Sequence, residues 1–339
     1  MNKKVILVTG CGGFVGFHVS NYLAKLNYKV VGLDNLNNYY SVKIKKDRIK
    51  ILKKNKNFTF YKLDLKNKKK VYKVLNRYFF SNVIHLAAQA GVRHSFFYPE
   101  NYITNNIVGT FNILDYFKNK NITNILLAST SSVYGKNKNK FINENSDSDH
   151  PSQIYAASKR STEIIAHSYS DLYNLPIICL RFFTLYGPWG RPDMALYKFC
   201  KNILANKKIE IYNYGNHYRN FTYIDDVSKI ISKLILKKNI KNKEWYKDCE
   251  VSSSYANFKI LNISSGIKIT LSKFIKLIEK NLNKKSKKKY LPLQKGDVVG
   301  NNSSNKIIKK YINKNFKFTD IEKGIEKFVE WYKDYNKIK

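Results

Sequence analysis

Cysteine is scarce in this 339-residue chain: Cys11, Cys179, Cys200 and Cys249 stand singly and far apart. That spacing can build neither a disulfide framework nor the paired ligand set of a zinc site, so no crosslink and no metal is expected. Long apolar runs are also missing. The first, 5–8, ends in a glycine cluster and is too short for a spanning helix or a signal peptide, so a cytoplasmic protein without a membrane partner is expected. Acidic residues are few, 24 against 62 basic ones, for a formal charge of +38. Summed positive charge attracts polyanions. Yet only seven of the 62 are arginine, and the lysines run the whole length of the chain beside abundant Asn, Ile and Tyr, as an AT-rich coding sequence leaves them. No nucleic-acid partner is expected on that account. Where arginine does stand in such a background, a planar bidentate guanidinium is what the position requires.

What is present is a hydrophobic content of 43%, enough for one large core or two modest ones. Short β-forming runs at 5–9, 29–33, 58–63, 82–86, 124–128 and 176–180 alternate with segments long enough for helices. That alternation predicts an α/β fold with a Rossmann-like, doubly wound parallel sheet. After Arg181 the pattern turns irregular, with a Gly/Pro-rich loop, a helical stretch near 194–206 and an amphipathic helix near 321–335. The expected division is a dinucleotide-binding domain over 1–181 with a returning segment near 221–238, and a smaller C-terminal α/β substrate-binding lobe from 182–220 and 239–339. The Lys/Asn tracts at 53–57, 136–140, 237–247 and 284–289 read as solvated loops.

The first strand runs into Gly10-Cys11-Gly12-Gly13-Phe14-Val15-Gly16. Gly10, Gly13 and Gly16 at a strand-helix junction allow a tight turn, let backbone N–H groups approach a pyrophosphate, and permit close helix-strand packing. Asp34, eighteen residues beyond Gly16, is where a carboxylate can bind both adenosine ribose hydroxyls. A carboxylate there repels a 2′-phosphate and no arginine follows until Arg48, so the expected cofactor is NAD. Asp64-Leu65, past the third strand, is placed for the adenine edge.

Tyr-x-x-x-Lys carries little information in a chain this rich in both residues: Tyr39, Tyr116, Tyr134, Tyr197, Tyr255 and Tyr335 all have a lysine four positions on. Tyr155-Lys159 is singled out by its context. Pro151-Ser152 provide a helix start, and the hydroxyl-rich strand end Ser129-Thr130-Ser131-Ser132 lies just upstream. Residues four apart share a helix face, so both side chains can point at a nicotinamide. A phenol with pKa of about 10 is a poor base near neutrality, but a positive charge at about 4 Å lowers it by roughly three units at an effective dielectric near 20, so Lys159 and the nicotinium charge together suffice.

These motifs resemble the extended short-chain dehydrogenase/reductase proteins, specifically the UDP-glucuronate 4-epimerases. The resemblance runs through Leu33-Asp34-Asn35-Leu36-Asn37, His85-Leu86-Ala87-Ala88-Gln89-Ala90-Gly91-Val92-Arg93, Tyr155-Ala156-Ala157-Ser158-Lys159, Arg181 to Met194, Arg219 to Asp226, Gly296-Asp297-Val298 and Phe328 to Tyr332. It implies Tyr155 as acid/base, with Thr130 bonding the reacting oxygen and Lys159 also holding the nicotinamide ribose. Phe14, Val15, Asn35, Leu86, Ala87 and Ala88 would join the glycines, Asp34, Asp64 and Leu65 around NAD. Gln89, Arg93, Ser131, Ser132, Thr184, Arg191, Arg219 and Asp297 would line a UDP-hexuronate site, Arg219 at the diphosphate. A homodimer packed through helices near 102–117 and 152–173 is also implied, with a role in surface polysaccharide.

Related enzymes that eliminate water carry Asp-Glu after the position of Thr130, and decarboxylases carry Glu at that of Ser132; here both places are serine. Galactose-type epimerases have Asn where Thr184 stands and lack the Trp189-Gly190-Arg191-Pro192 segment. A neutral-sugar 4-epimerase is the alternative reading, and an NAD-binding protein without activity is the non-enzymatic one. The chain departs from the family in having Asn220 in place of aspartate and Asn301-Asn302-Ser303-Ser304 in place of Thr-x-Ala-Asp.

Overall fold

The computed structural model describes residues 5–136, 141–238, 240–300 and 302–338. Its strands are β1 (Val5–Thr9), β2 (Lys29–Asp34), β3 (Phe58–Lys62), β4 (Phe80–His85), β5 (Asn124–Thr130), β6 (Ile177–Phe182), β7 (Thr184–Tyr186), β8 (Lys208–Ile211), β9 (Tyr218–Tyr223), β10 (Phe258–Ile263), β11 (Lys268–Thr270) and β12 (Lys287–Tyr290). Seven of them make one parallel sheet in the order β10-β6-β5-β4-β1-β2-β3. Ile6, Leu7 and Val8, and Ile125, Leu126 and Leu127, are fully buried, because helices cover both faces and every second residue meets one core or the other. One face is closed by the helices Phe14–Lys25 and Ile224–Leu234, the other by Gly109–Phe117 and Ile154–Tyr173. The winding reverses between β1 and β4, which opens a crevice at the carboxyl ends of the strands.

The smaller lobe holds the three-stranded sheet β11-β9-β7 and the pair β12-β8, packed with the helices Ala195–Leu204, Leu271–Leu282 and Ile321–Asn336 around Phe199, Phe274, Ile278 and Phe328. Among the described residues no helix is long and apolar enough to cross a membrane.

Three expectations from the sequence need correction. Phe258–Ile263 is not part of the smaller lobe but the seventh strand of the main sheet, paired in parallel with Ile177–Phe182. The helix Lys306–Ile312 goes with it, burying Ile308 in the main core; both segments are apolar enough to complete a sheet face but lie far from the first half in sequence. The Lys284–289 tract is not all loop: Lys287–Tyr290 pairs with Lys208–Ile211, and lysines on an exposed two-stranded edge keep further strands from adding. The helix that carries Tyr155 begins at Ile154 rather than at Pro151, because Gln153 stays extended and its amide donates to the Gly296 carbonyl across the crevice. Of the 136–140 tract, residues 137–140 lie outside the described residues, as does Asn301.

Candidate active site

One cavity of about 710 Å³ lies over the carboxyl ends of the strands, and every residue expected to bind cofactor or substrate lines it. Its floor on the β1 side is made of backbone. Gly10 has φ +75°, a side chain there would strike the Ala87 backbone, and one at Gly16 would overlap the Gly10 carbonyl. Gly13, Phe14, Val15 and Gly16 form the first turn of the helix Phe14–Lys25, which has no side-chain cap, so its free N–H groups face the cavity. Asp34 at the end of β2 accepts from the amides of Gly12 at 2.9 Å and Leu36 at 2.7 Å. Burial pushes its pKa up, against those amides and the nearby Lys45. Asn35 donates to Asp64 at 3.2 Å, Leu65 is buried beside them, and Leu86, Ala87 and Ala88 form the opposite wall. A dinucleotide fits this floor: an uncapped helix end for the pyrophosphate and a fixed carboxylate for the ribose.

The chemistry-bearing groups sit where β5 ends. Thr130 is the last residue of β5, and Ser131–Tyr134 fold into a 3-10 turn whose Ser132 amide donates to the Thr130 hydroxyl at 3.2 Å. Tyr155 and Lys159, one turn apart on the helix Ile154–Tyr173, face the same cavity. Lys159 is only 2% exposed and its Nζ has no hydrogen-bond partner among the described residues. Burial lowers its pKa to about 8 despite the opposing charge of Glu163. An orphaned buried ammonium is costly, and the hydroxyls of a nicotinamide ribose are the kind of partner it lacks. Burial also raises the Tyr155 phenol, while the Thr130 hydroxyl and the Arg191 guanidinium pull it down. Arg191 thus adds positive charge at Tyr155 from the substrate side of the cavity.

Behind these groups, Glu163 accepts from Arg181 at 2.8 and 2.9 Å, from Arg160 at 3.1 Å and from Ser129. The network ties the Tyr155 helix to β5 and β6 with a buried charge matched on three sides. A π turn at Ile103–Val108 adds a second tie by carrying the buried Asn106, which accepts from the Gln89 amide at 2.7 Å and donates to Ser158 at 2.9 Å.

On the substrate side the arginines already have partners. Arg93, from the loop after β4, pairs with Asp297 of the opposite lobe at 3.1 Å. Arg219 donates to the Tyr218, Val298 and Val299 carbonyls at 2.8–3.0 Å. Arg191 bonds Asp193 through both Nε and Nη2, and Tyr39 donates to the same carboxylate at 3.0 Å. The resemblance implies Arg191 at the substrate, and in the structure it lines the cavity with Asp193 on its Nε and Nη2. Gln89, Ser131, Ser132 and Thr184 complete the lining.

Four residues with a part in the site were not singled out from the sequence. Asp193 stood inside the long Arg181–Met194 motif without a role. Tyr39 and Lys45 were hidden by the tyrosine and lysine background, although Lys45 is 5% exposed and bonds the Asn37 carbonyl at 2.7 Å. Asn106 had no signal at all, since a π turn leaves no periodicity to read.

A parallel sheet with a glycine-lined helix end, a carboxylate at the end of the second strand and a Tyr/Lys pair beside a hydroxyl-bearing strand end defines a dinucleotide-dependent oxidoreductase architecture. The chain belongs to the NAD dependent epimerase/dehydratase family, whose model matches residues 6–247. It is 46% identical over 338 residues to the protein CapI of Staphylococcus aureus, covering 98% of this chain and 99% of that one. It is 37% identical to the UDP-glucuronate 4-epimerase of Thermodesulfobacterium geofontis, covering 97% and 96%. The structure matches the UDP-glucuronic acid 4-epimerase of Bacillus cereus in complex with UDP-glucuronic acid and NAD, with a TM-score of 0.86, 29% identity and coverage of 98% and 99%.

Proposed function

We propose that this chain converts UDP-glucuronate to UDP-galacturonate through a 4-keto sugar, with NAD held throughout. The observation that carries the reading is that a single cavity brings Thr130, Tyr155 and Lys159 together with Ser131, Ser132, Thr184 and Arg191. When bound, NAD supplies a hydride acceptor at C4 that returns the hydride to the opposite face. Tyr155 takes the proton of the 4-hydroxyl as the ketone forms and returns it after the ring has turned. Thr130 holds the reacting oxygen. Lys159 keeps the phenol acidic together with the nicotinium charge, and its Nζ bonds the ribose.

Oxidation at C4 makes a β-keto acid, whose C5 carboxylate leaves as carbon dioxide once its bond aligns with the ketone π system. Arg191, Thr184, Ser131 and Ser132 hold that carboxylate out of alignment by charge-assisted hydrogen bonds. The serines after Thr130 offer no acid and base for eliminating water, in keeping with epimerisation. Gln89, Arg93 and Asp297 shape the sugar pocket, and Arg219 lies at the diphosphate.

The enzyme works as a cytoplasmic homodimer in this reading. Ile103 and Phe111, with Ile164 and Leu172 on the neighbouring helix, are 40–72% exposed, an apolar surface that a second copy would cover. A screen of the purified chain with NAD against several UDP-sugars, the product configuration read by NMR, tests the activity. UDP-galacturonate from UDP-glucuronate is expected. Turnover of UDP-glucose or UDP-N-acetylglucosamine alone would move the assignment to the neutral-sugar alternative.

A further inference from the structure

Arg191 and Asp193 form a two-point ion pair inside the substrate cavity, with side chains 21% and 26% exposed. Nε of Arg191 lies 3.0 Å from one carboxylate oxygen and Nη2 bonds the other, leaving Nη1 without a partner among the described residues. Asp193 is fixed from its other side by the Tyr39 hydroxyl at 3.0 Å, and the Tyr39 ring lies under the Arg191 guanidinium at 5.8 Å. Tyr39 belongs to the loop after β2, whereas Arg191 and Asp193 belong to the loop after β7, so the triad joins two loops across the mouth of the cavity. Although burial works against ionisation of Asp193, Arg191 and Tyr39 hold its carboxyl below the ordinary range. The pair is thus fully charged at neutral pH.

We propose that Asp193 is an internal stand-in for the substrate carboxylate: it occupies Arg191 whenever the sugar's carboxylate is away, and Tyr39 holds it in place while the two exchange. This inference rests on the UDP-glucuronate reading above. Nη1 stays open, but a second carboxylate there would share one positive charge with Asp193 and be repelled by it, so the substrate gains the whole of Arg191 only by displacing Asp193. The displacement weakens ground-state binding but makes release easy. As the keto sugar turns to present its other face, its carboxylate passes from Arg191 to the hydroxyls of Thr184, Ser131 and Ser132, which keep it out of alignment, and a half-buried guanidinium left unpaired at that moment would resist the turn. Asp193 takes the fork back and removes that resistance. A neutral sugar leaves the pair undisturbed, so Asp193 is a positioning residue that acts on acidic sugars alone.

The test is Asp193→Asn, with UDP-glucuronate and UDP-glucose binding measured by titration calorimetry and turnover measured on the acidic sugar. UDP-glucuronate should bind about tenfold more tightly, UDP-glucose unchanged, while kcat on UDP-glucuronate falls about tenfold as ring turning slows. Tyr39→Phe, which loosens Asp193 without removing its charge, should shift the acidic sugar the same way but less. Equal weakening of both sugars in Asp193→Asn, or acidic-sugar binding and turnover both unchanged, overturns the exchange. So does an Asp193→Asn protein that fails to fold while Tyr39→Phe leaves acidic-sugar binding at the wild-type value. Failure of the underlying reading shows separately, in a wild-type chain that does not turn over UDP-glucuronate.

Discussion

The two sides of the cavity are built on different principles. The cofactor side is backbone: a glycine turn, the uncapped end of the helix Phe14–Lys25 and Asp34 clasped by two amides, with Lys159 the one buried cation without a partner among the described residues. The substrate side is side chains from distant parts of the chain, and its three arginines are all engaged already, Arg93 and Arg219 with the 297–299 segment and Arg191 with Asp193 of its own loop. One side waits for its ligand with unmet hydrogen bonds; the other must give up bonds it already has. A cofactor that stays bound through many turnovers suits the first arrangement, and a sugar that enters, turns and leaves suits the second.

The sharpest break between the two sides comes from Tyr155→Phe. It removes one hydroxyl and leaves both binding surfaces whole, so epimerisation should fall by more than about a thousandfold while NAD content is unchanged. Initial rates and the nicotinamide content of the purified variant check it; near-normal turnover would remove Tyr155 from the chemistry.

Next in size is the cofactor side. Asp34→Ala strips the partner from the Gly12 and Leu36 amides as well as from the ribose, so NAD affinity should fall on the order of 10–100-fold and discrimination against NADP should relax. Calorimetry with both dinucleotides decides the matter, and a wild-type preference for NADP would refute the role given to Asp34.

A smaller effect is expected where the lobes meet. Arg93→Ala breaks a partly exposed pair with Asp297, which contributes only about 0–1 kcal/mol to stability, so the melting temperature should hardly move. KM for the UDP-sugar should rise a few-fold with kcat nearly unchanged, since the pair closes the cleft rather than taking part in chemistry. A kcat loss as large as the KM change would argue that Arg93 contacts the reacting sugar.

This contrast also explains what could be read from the chain. The Rossmann half was legible because its signals are local: Gly10 to Gly16 follow one strand, Asp34 ends the next, and Tyr155 and Lys159 are one helical turn apart. The placement of Phe258–Ile263 beside Ile177–Phe182 was not, because a strand added about eighty residues later carries no mark of the sheet it will join. In the site, residue identity was legible and pairing was not. Arg191 and Asp193 stand two apart in the sequence, and nothing in that spacing says whether the guanidinium faces a ligand or its own neighbour. Tyr39, which decides the question by holding Asp193, is one of 26 tyrosines.

The last contrast separates the sides by pH. Lys159 has a pKa of about 8 in the folded chain because burial disfavours its charge, against about 10.4 for an exposed lysine. Below pH 8 both states hold the proton and the folded state bears the whole penalty, on the order of 1–3 kcal/mol for a fully buried group. Between about pH 8 and 10 the folded chain releases a proton that the unfolded chain keeps, so the penalty fades as pH rises. Without NAD, Lys159→Met should therefore melt above wild type at pH 7, and the gap should narrow towards pH 10; titrating tyrosines affect both proteins alike and drop out of the difference. With NAD the sign should reverse, because a ribose oxygen on Nζ gives the wild type a partner that methionine cannot replace. Melting curves of both proteins at pH 7 and 10, with and without NAD, measure this. A gap independent of pH would show that the ammonium is already satisfied without cofactor, and the distinction between a waiting cofactor side and an occupied substrate side would fail at Lys159.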